Sequence, residues 1–572
     1  VRRHRSTTPR KSLTARTAFR TGRPDRPAPS GHPAPRPARA PRVLGALLLV
    51  AAAGACAVGA APAGQATAGQ SATGRTGAAT PLNQVIPAPA SVTAGGSPYR
   101  ITPGTRIGVG GSREARRVGA YLADLLRPAT GYRLPLTTHG PAGIRLRLDK
   151  GPFGAEGYRI DSGPRGVTIT AGKPAGLFHG VQTLRQLLPA AVEKKSVQRG
   201  PWLVAGGTVQ DSPRYAYRGA MLDVSRHFFT VGQVKRYIDE LALYKINELH
   251  LHLSDDQGWR IAVDSWPRLA AYGGSTQVGG GPGGFYTKAD YREIVRYAAS
   301  RYLEVVPEID MPGHTNAALA SYAELNCDGV APPLYTGTKV GFSSLCAPKE
   351  RTYDFADDVI RELAALTPGR YLHIGGDEAH STSHEDYVTF MNRVQPIVAK
   401  YGKTVIGWHQ LTGATPAEGA LAQYWGMDST SAAEKAQVAQ AAQHGTGLIL
   451  SPADRVYLDM KYTKDTPLGL SWAGYVEVRR SYDWDPAAYL PGAPASAVRG
   501  VEAPLWSETL STSAQLDTMA FPRLPGAAEL GWSPAATHDW DTYKVRLAAQ
   551  APRWDALGIG YYRSPQVPWT NG

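Results

Sequence analysis

From residue 214 onward the chain repeats one arrangement: a short apolar run, often followed by a stretch with helical period. Eight runs read as strands, at 218–224, 246–253, 304–309, 371–374, 404–408, 421–425, 447–450 and 500–505. Thr230 and Gln233 form a capping box after the first run, and Val234, Tyr237, Ile238, Leu241 and Tyr244 then share one helix face. Thr287 and Asp290 open a second such helix, with Tyr291, Ile294, Val295 and Ala298 inward. Buried parallel strands alternating with helices over this length predict a (β/α)8 barrel in 214–572, with a doubly wound open sheet as the alternative. The preceding segment, 81–213, reads as a smaller α/β domain (an α+β sandwich). Residues 144–148 and 166–170 alternate like half-buried strands, and 113–126 and 177–188 are amphipathic helices.

The net charge of +15 over 572 residues raises the question of an anionic partner. Residues 1–42 hold 12 of the 62 basic residues and one acid, Asp25, which leaves about +4 on the remainder. The basic excess therefore belongs to a leader, and no nucleic-acid partner is expected. Residues 43–61 are uncharged and end in Ala and Gly. A basic segment, an apolar segment and small residues make a secretory signal over 1–62, followed by a flexible Ala/Gly/Ser/Thr linker at 63–80. The alternative is a retained membrane anchor. Export predicts an extracellular enzyme with no stable membrane association once the signal is removed. Cys56 falls in the apolar segment, and Ala53 suits lipid attachment there poorly. In an oxidising compartment Cys327 and Cys346 pair and close a loop, contributing about 3 kcal/mol through chain entropy. Two free buried thiols are the other reading.

A barrel puts its chemistry at the carboxyl ends of its strands. There the eight runs end in Asp223 and Arg226; in Asp255 and Asp256; in Asp310 and His314; in Asp377-Glu378; in Trp408; in Trp425; in Tyr457 and Asp459; and in Trp506 and Glu508. Aromatic rings beside directed carboxylates suit a neutral, hydroxylated ring such as a sugar.

Four stretches carry a specific likeness: Arg218-Gly-Ala-Met-Leu-Asp-Val-Ser-Arg226-His227-Phe, His250-Leu-His252-Leu-Ser-Asp255-Asp-Gln-Gly-Trp259-Arg, Glu308-Ile-Asp-Met-Pro-Gly-His314 and His373-Ile-Gly-Gly-Asp377-Glu378. Over about 81–572 the chain resembles the β-N-acetylhexosaminidases of glycoside hydrolase family 20, in particular secreted actinobacterial (Streptomyces-like) enzymes. Residues 175–188 are similar to the helix that closes the family's small N-terminal domain. The resemblance implies exo-hydrolysis of terminal N-acetylglucosamine and N-acetylgalactosamine from oligosaccharides or glycoconjugates, by a retaining, substrate-assisted route. It implies that Glu378 is general acid and base, with a raised pKa, and that an ionised Asp377 steadies the 2-acetamido group. Tyr457 is implied as the clamp on the acetamido oxygen, with Asp255 and His314 supporting Glu378. Trp408, Trp425 and Trp506 are implied as walls around acetamide and ring, and Arg226, Asp459 and Glu508 as hydroxyl ligands. No cofactor or metal is implied.

Two rivals remain. His250 and His252 lie on one side of a strand, as in zinc-dependent barrel hydrolases, though no further ligands complete a set convincingly. A catalytically dead sugar-binding protein would lack the acid or the acetamide clamp, and this chain has both.

Overall fold

The computed structural model describes residues 78–569. The leader and most of the linker expected at 63–80 lie outside the described residues. Among the described residues no helix is long and apolar enough to cross a membrane.

The first part is a seven-stranded mixed sheet flanked by the helices Arg113–Thr130 and Pro174–Leu187. Two of its strands, Ile144–Leu148 and Gly166–Ala171, run parallel. The second helix is buried from Gly176 to Leu187, because it is sandwiched rather than surface-laid. Gly180 lets it approach the sheet: a Cβ there would stand 2.5 Å from the Ile169 side chain. Its far side meets the barrel, where Gln186 donates to the Leu243 carbonyl at 3.3 Å. Lys245 Nζ and Trp532 Nε1 both reach Asp211 Oδ2, at 3.1 and 2.9 Å, fixing the end of an inner sheet strand, Gly207–Asp211, to the barrel.

The second part is a closed, all-parallel barrel. Its strands are β1 (Tyr217–Asp223), β2 (Glu248–His252), β3 (Glu304–Glu308), β4 (Tyr371–His373), β5 (Thr404–Trp408), β6 (Leu421–Tyr424), β7 (Gly447–Leu450) and β8 (Val498–Leu505). All eight expected strands are present, and β8 closes on β1 through the register Tyr217↔Gly500 to Leu222↔Leu505. The open-sheet alternative is thereby excluded. Both expected capping boxes form, at Thr230/Gln233 and Thr287/Asp290.

The barrel interior is layered. Its lower layer is apolar and aromatic: Tyr217, Val306, Tyr371, Ile406, Leu421 and Ile449. The layer above is polar, with His250, Glu308, His373, Gln423 and Glu502 fully buried. Barrels usually fill this space with branched aliphatics. Here each polar group is hydrogen-bonded: Glu502 accepts from Tyr217 Oη at 2.5 Å, and its other oxygen accepts from Gln423 Nε2 at 2.7 Å. Gly219 makes room for this carboxylate, since a Cβ there would lie 2.3 Å from Glu502 Oε2.

Cys327 and Cys346 are bonded, with Cα atoms 4.9 Å apart, as expected for paired cysteines. The bond closes the loop that follows β3, and that loop carries Thr338 and Val340 to the mouth of the barrel.

Candidate active site

At the carboxyl ends of the strands lies a cavity of ≈ 330 Å³, within the range of small-ligand sites. It is lined by nine of the eleven residues singled out in the sequence: Arg226, His314, Asp377, Glu378, Trp425, Tyr457, Asp459, Trp506 and Glu508. The other two stand behind it.

Asp377 and Glu378 leave β4 through Gly375 and Gly376, whose φ angles are +66° and +100°. A Cβ on Gly375 would collide with Asp310 Oδ1 at 1.8 Å, and Gly376 N donates to that same oxygen at 3.1 Å. The sharp turn thus requires glycine and is pinned by Asp310. Glu378 itself has φ +44°, a sparsely populated conformation for a side-chain-bearing residue. The two adjacent carboxyl groups therefore differ in setting. Asp377 is 7% exposed, whereas Glu378 is partly exposed at the rim.

Behind them, His314 Nδ1 lies 3.2 Å from Asp255 Oδ1, and its Nε2 lies 3.3 Å from Glu378 Oε2 and 3.7 Å from Asp377 Oδ2. Asp255 does not line the cavity but faces it through His314. Burial opposes a charge on His314, yet Asp255 and Asp377 hold its pKa well above the ordinary value. The carboxyl of Asp377 is drawn in two directions. Burial pushes its carboxyl up to about 6, against the pull of His314 and with Glu378 adding to the rise.

On the other side, Arg226 is held by Asp255 Oδ2 at 2.9 Å and lies over the Trp506 ring, 4.8 Å from its centroid. Asp223 sets the turn that presents it, accepting from Ser225 N and Arg226 N at 2.8 and 3.0 Å and from Ser507 N at 3.0 Å. Both carboxylate oxygens of Asp459, Oδ1 of Asp377 and Nε of Arg226 are buried without a protein partner. An unpaired buried polar group is costly, so such a cluster around one cavity marks a polar ligand site. Burial, with Glu508 beside it, raises the Asp459 carboxyl well above the usual carboxylate range.

Trp408 stands directly behind the cavity wall, packed in one cluster with Tyr457, Trp506 and Trp425. It is fully buried and does not border the cavity. It forms the bed beneath, with its ring centroid 5.7 Å from that of Trp506 and its Nε1 donating to Glu308 Oε1 at 2.9 Å. Four lining residues escaped the sequence reading: Thr338, Val340, Leu470 and Trp472. Trp472 is half-exposed and packs edge-on against Trp425 and Tyr457, with centroids 5.9 and 5.8 Å away.

The imidazoles behind the zinc reading are otherwise engaged. His250 places its two nitrogens 2.8 and 2.9 Å from Glu502 and Glu308, and His252 places its own 2.5 and 2.7 Å from Glu308 and Asp255. Each nitrogen of the two imidazoles is thus taken up by a carboxylate. Imidazole and carboxylate groups do converge here, as in His250, Glu308 and His373; His250 pairs with Glu308, while burial lowers the pKa of His373, whose Nδ1 accepts from Gly375 N at 3.0 Å.

A family model of the glycosyl hydrolase family 20 catalytic domain matches residues 215–535, and one of that family's domain 2 matches 82–212. The chain belongs to glycoside hydrolase family 20. It is a β-N-acetylhexosaminidase, as the family's activity implies. A β-N-acetylhexosaminidase of Cellulomonas fimi is 43% identical over 490 residues, covering 85% of this chain and 97% of that protein. The family 20 β-N-acetylhexosaminidase structure of Streptomyces coelicolor is 82% identical at TM-score 0.86, covering 86% of this chain and 100% of that one. A Streptomyces plicatus N-acetyl-β-hexosaminidase solved with thio-NAglucal is equally similar, at 82% identity and TM-score 0.86, covering 86% of this chain and 99% of that one.

Proposed function

We propose that the cavity takes a single terminal, non-reducing N-acetylhexosamine and that the sugar's own acetamide is the nucleophile. The observation that carries this is the Asp377-Glu378 pair. Adjacent residues on a tight turn, one deep in the cavity and one at its rim, cannot bracket one anomeric carbon as nucleophile and acid. They suit two tasks instead. Glu378, partly exposed and backed by His314, gives a proton to the leaving oxygen and later takes one from water. Asp377 receives the acetamido N–H and steadies the positive charge as the carbonyl oxygen closes on the anomeric carbon to form an oxazolinium ion. Tyr457 Oη holds that oxygen from the other side. Trp425, Trp472 and Trp506 keep water away, with Trp408 beneath them, which strengthens the Asp377 contact. Arg226, Asp459 and Glu508 take the hydroxyls at the far end of the ring and close the cavity to inner residues of a chain.

The sign of the pH dependence follows from Asp377. Its ionised form is the working one, so the acidic limb of kcat/KM falls as pH drops through about 6. Asp377→Asn lowers the plateau and removes that limb; a limb unchanged in the variant would assign it to another group. The experiment that tests the function as a whole is inhibition by a thiazoline mimic of the cyclic intermediate. It binds competitively and at least 100-fold more tightly than N-acetylglucosamine, as a transition-state-like species does. Affinity no better than that of the sugar overturns the reading.

The substrates we propose are chito-oligosaccharides and glycoconjugates ending in N-acetylglucosamine or N-acetylgalactosamine, met outside the cell. The basic leader with its apolar run supports export, as does a disulfide that needs an oxidising compartment.

A further inference from the structure

The buried polar layer of the barrel is not isolated from the site. From β8 to the cavity rim, carboxylates and imidazoles alternate in an unbroken chain. Glu502 Oε1 meets His250 Nδ1 at 2.8 Å, and His250 Nε2 meets Glu308 Oε2 at 2.9 Å. That same oxygen meets His252 Nδ1 at 2.5 Å, and His252 Nε2 meets Asp255 Oδ2 at 2.7 Å. Asp255 then leads through His314 to Glu378 at 3.2 and 3.3 Å. The first four groups are fully buried. Burial opposes every charge among them, but the partners prevail. Glu502 and Glu308 hold His250 up at about 9, and the histidines hold Glu308 well below the usual carboxylate range. The other oxygen of Glu308 turns to the opposite side of the site, where it accepts Trp408 Nε1 at 2.9 Å.

We propose that Glu308 is a positioning residue for the reaction: one carboxylate oxygen fixes the Trp408 indole under the acetamide wall, and the other fixes His252, and through it Asp255, His314 and the carboxyl of Glu378. The proton carrier and the wall that shapes the nucleophile are then aligned by one side chain that touches neither substrate nor intermediate. This inference rests on the assignment of Glu378 as acid and base. Isosteric replacement of a buried carboxylate with four neighbours at hydrogen-bond range (the fourth is His373 Nδ1, at 3.1 Å) removes charge while keeping shape.

The groups that face the two carboxyls define what the pH profile reports. Around Glu308 stand His250 and His252 from β2, His373 from β4 and Trp408 from β5. Asp310 and Asp377 act on it at longer range, and Glu502 acts from β8 across His250. Facing Glu378 are His314, the neighbouring Asp377 and Tyr457. Replacing the Glu308 carboxylate by an amide changes both the charge and the alignment of the chain that ends on Glu378. In Glu308→Gln the basic limb of kcat/KM therefore moves, by about 0.5 unit or more. Glu308→Asp keeps the charge on a shorter arm; it lowers the rate but leaves the limb within about 0.2 unit of the wild type. A packing role alone gives slower enzymes with an unmoved limb in both variants, and that result overturns the proposal.

Two single-branch variants keep the test open should Glu308→Gln not fold. His252→Gln moves the basic limb but leaves the Trp408 indole N–H resonance in place, assigned by its loss in Trp408→Phe. Trp408→Phe raises KM for N-acetylglucosaminides and leaves the limb in place. An unmoved limb in His252→Gln also overturns the proposal. The wild-type enzyme separates this failure from that of the function: indifference to the 2-acetamido group removes the mechanism itself, whereas that preference with unmoved limbs removes only the role of Glu308.

Discussion

Glu378→Gln is expected to lower kcat/KM on an N-acetylglucosaminyl oligosaccharide by about 10²–10⁴-fold, the usual worth of a positioned acid. A sugar alkoxide is a poor leaving group and needs the proton. A dinitrophenolate does not, so on the corresponding aryl glycoside kcat/KM falls by about tenfold or less. The amide also cannot deprotonate water in the second step, so kcat on the activated substrate drops further than kcat/KM. Azide, which attacks without a base, restores kcat there and gives a glycosyl azide of retained configuration. The variant has the shape of the wild type at the rim, where Glu378 is partly exposed, so thermal unfolding is little changed. Equal loss on both substrates, with no response to azide, would remove the proton-carrier role from Glu378.

The sequence was most legible where one local rule acts alone. The spacing of Val234, Tyr237, Ile238 and Leu241 behind a capping box left little choice but a helix, and Val231–Leu243 is one. The eight barrel strands were located to within about two residues because each is buried on both faces. The apolar run then marks the strand but not where its register ends: 246–253 contains Glu248–His252, and Leu253 links it to the short strand Ser254–Asp255. Alternation along a strand tells which side chains face inward, but not how deep they lie. Trp408 was therefore placed in the cavity wall, although it sits one layer lower, on Glu308. The polar middle layer was hidden for the same reason. His250 and His252 on one face of β2 look like metal ligands until the carboxylates of β3 and β8 are seen opposite them. Trp472 and Val340 escaped because they lie on long loops without period, Val340 on the loop that the disulfide closes, whose contacts the sequence does not specify.

The largest expected effect comes from changing the substrate rather than the enzyme. An aryl β-glucoside, identical to the N-acetylglucosaminide except for hydroxyl in place of the 2-acetamido group, is expected to be cleaved at least about 10⁴-fold more slowly in kcat/KM. Well-oriented intramolecular groups reach effective molarities of about 10⁵ M and above, and the acetamide is such a group. No residue of the cavity can replace it. In the proposed assignment Asp377 receives the acetamide from deep in the cavity, and Glu378 serves the leaving oxygen. Tyr457 has its hydroxyl pKa raised well above the ordinary value, by burial first and then by Asp377, so it holds its proton and does not attack. A hydroxyl also leaves Asp377, Tyr457 and the tryptophan walls without their partner, which costs binding as well as chemistry. The two losses separate in the kinetics. Missing contacts raise KM, and the missing nucleophile lowers kcat, so the effect falls mainly on kcat. Comparable kcat on the two glycosides, or a sugar trapped as an ester on Asp377 or Glu378, would mean that the protein supplies the nucleophile after all.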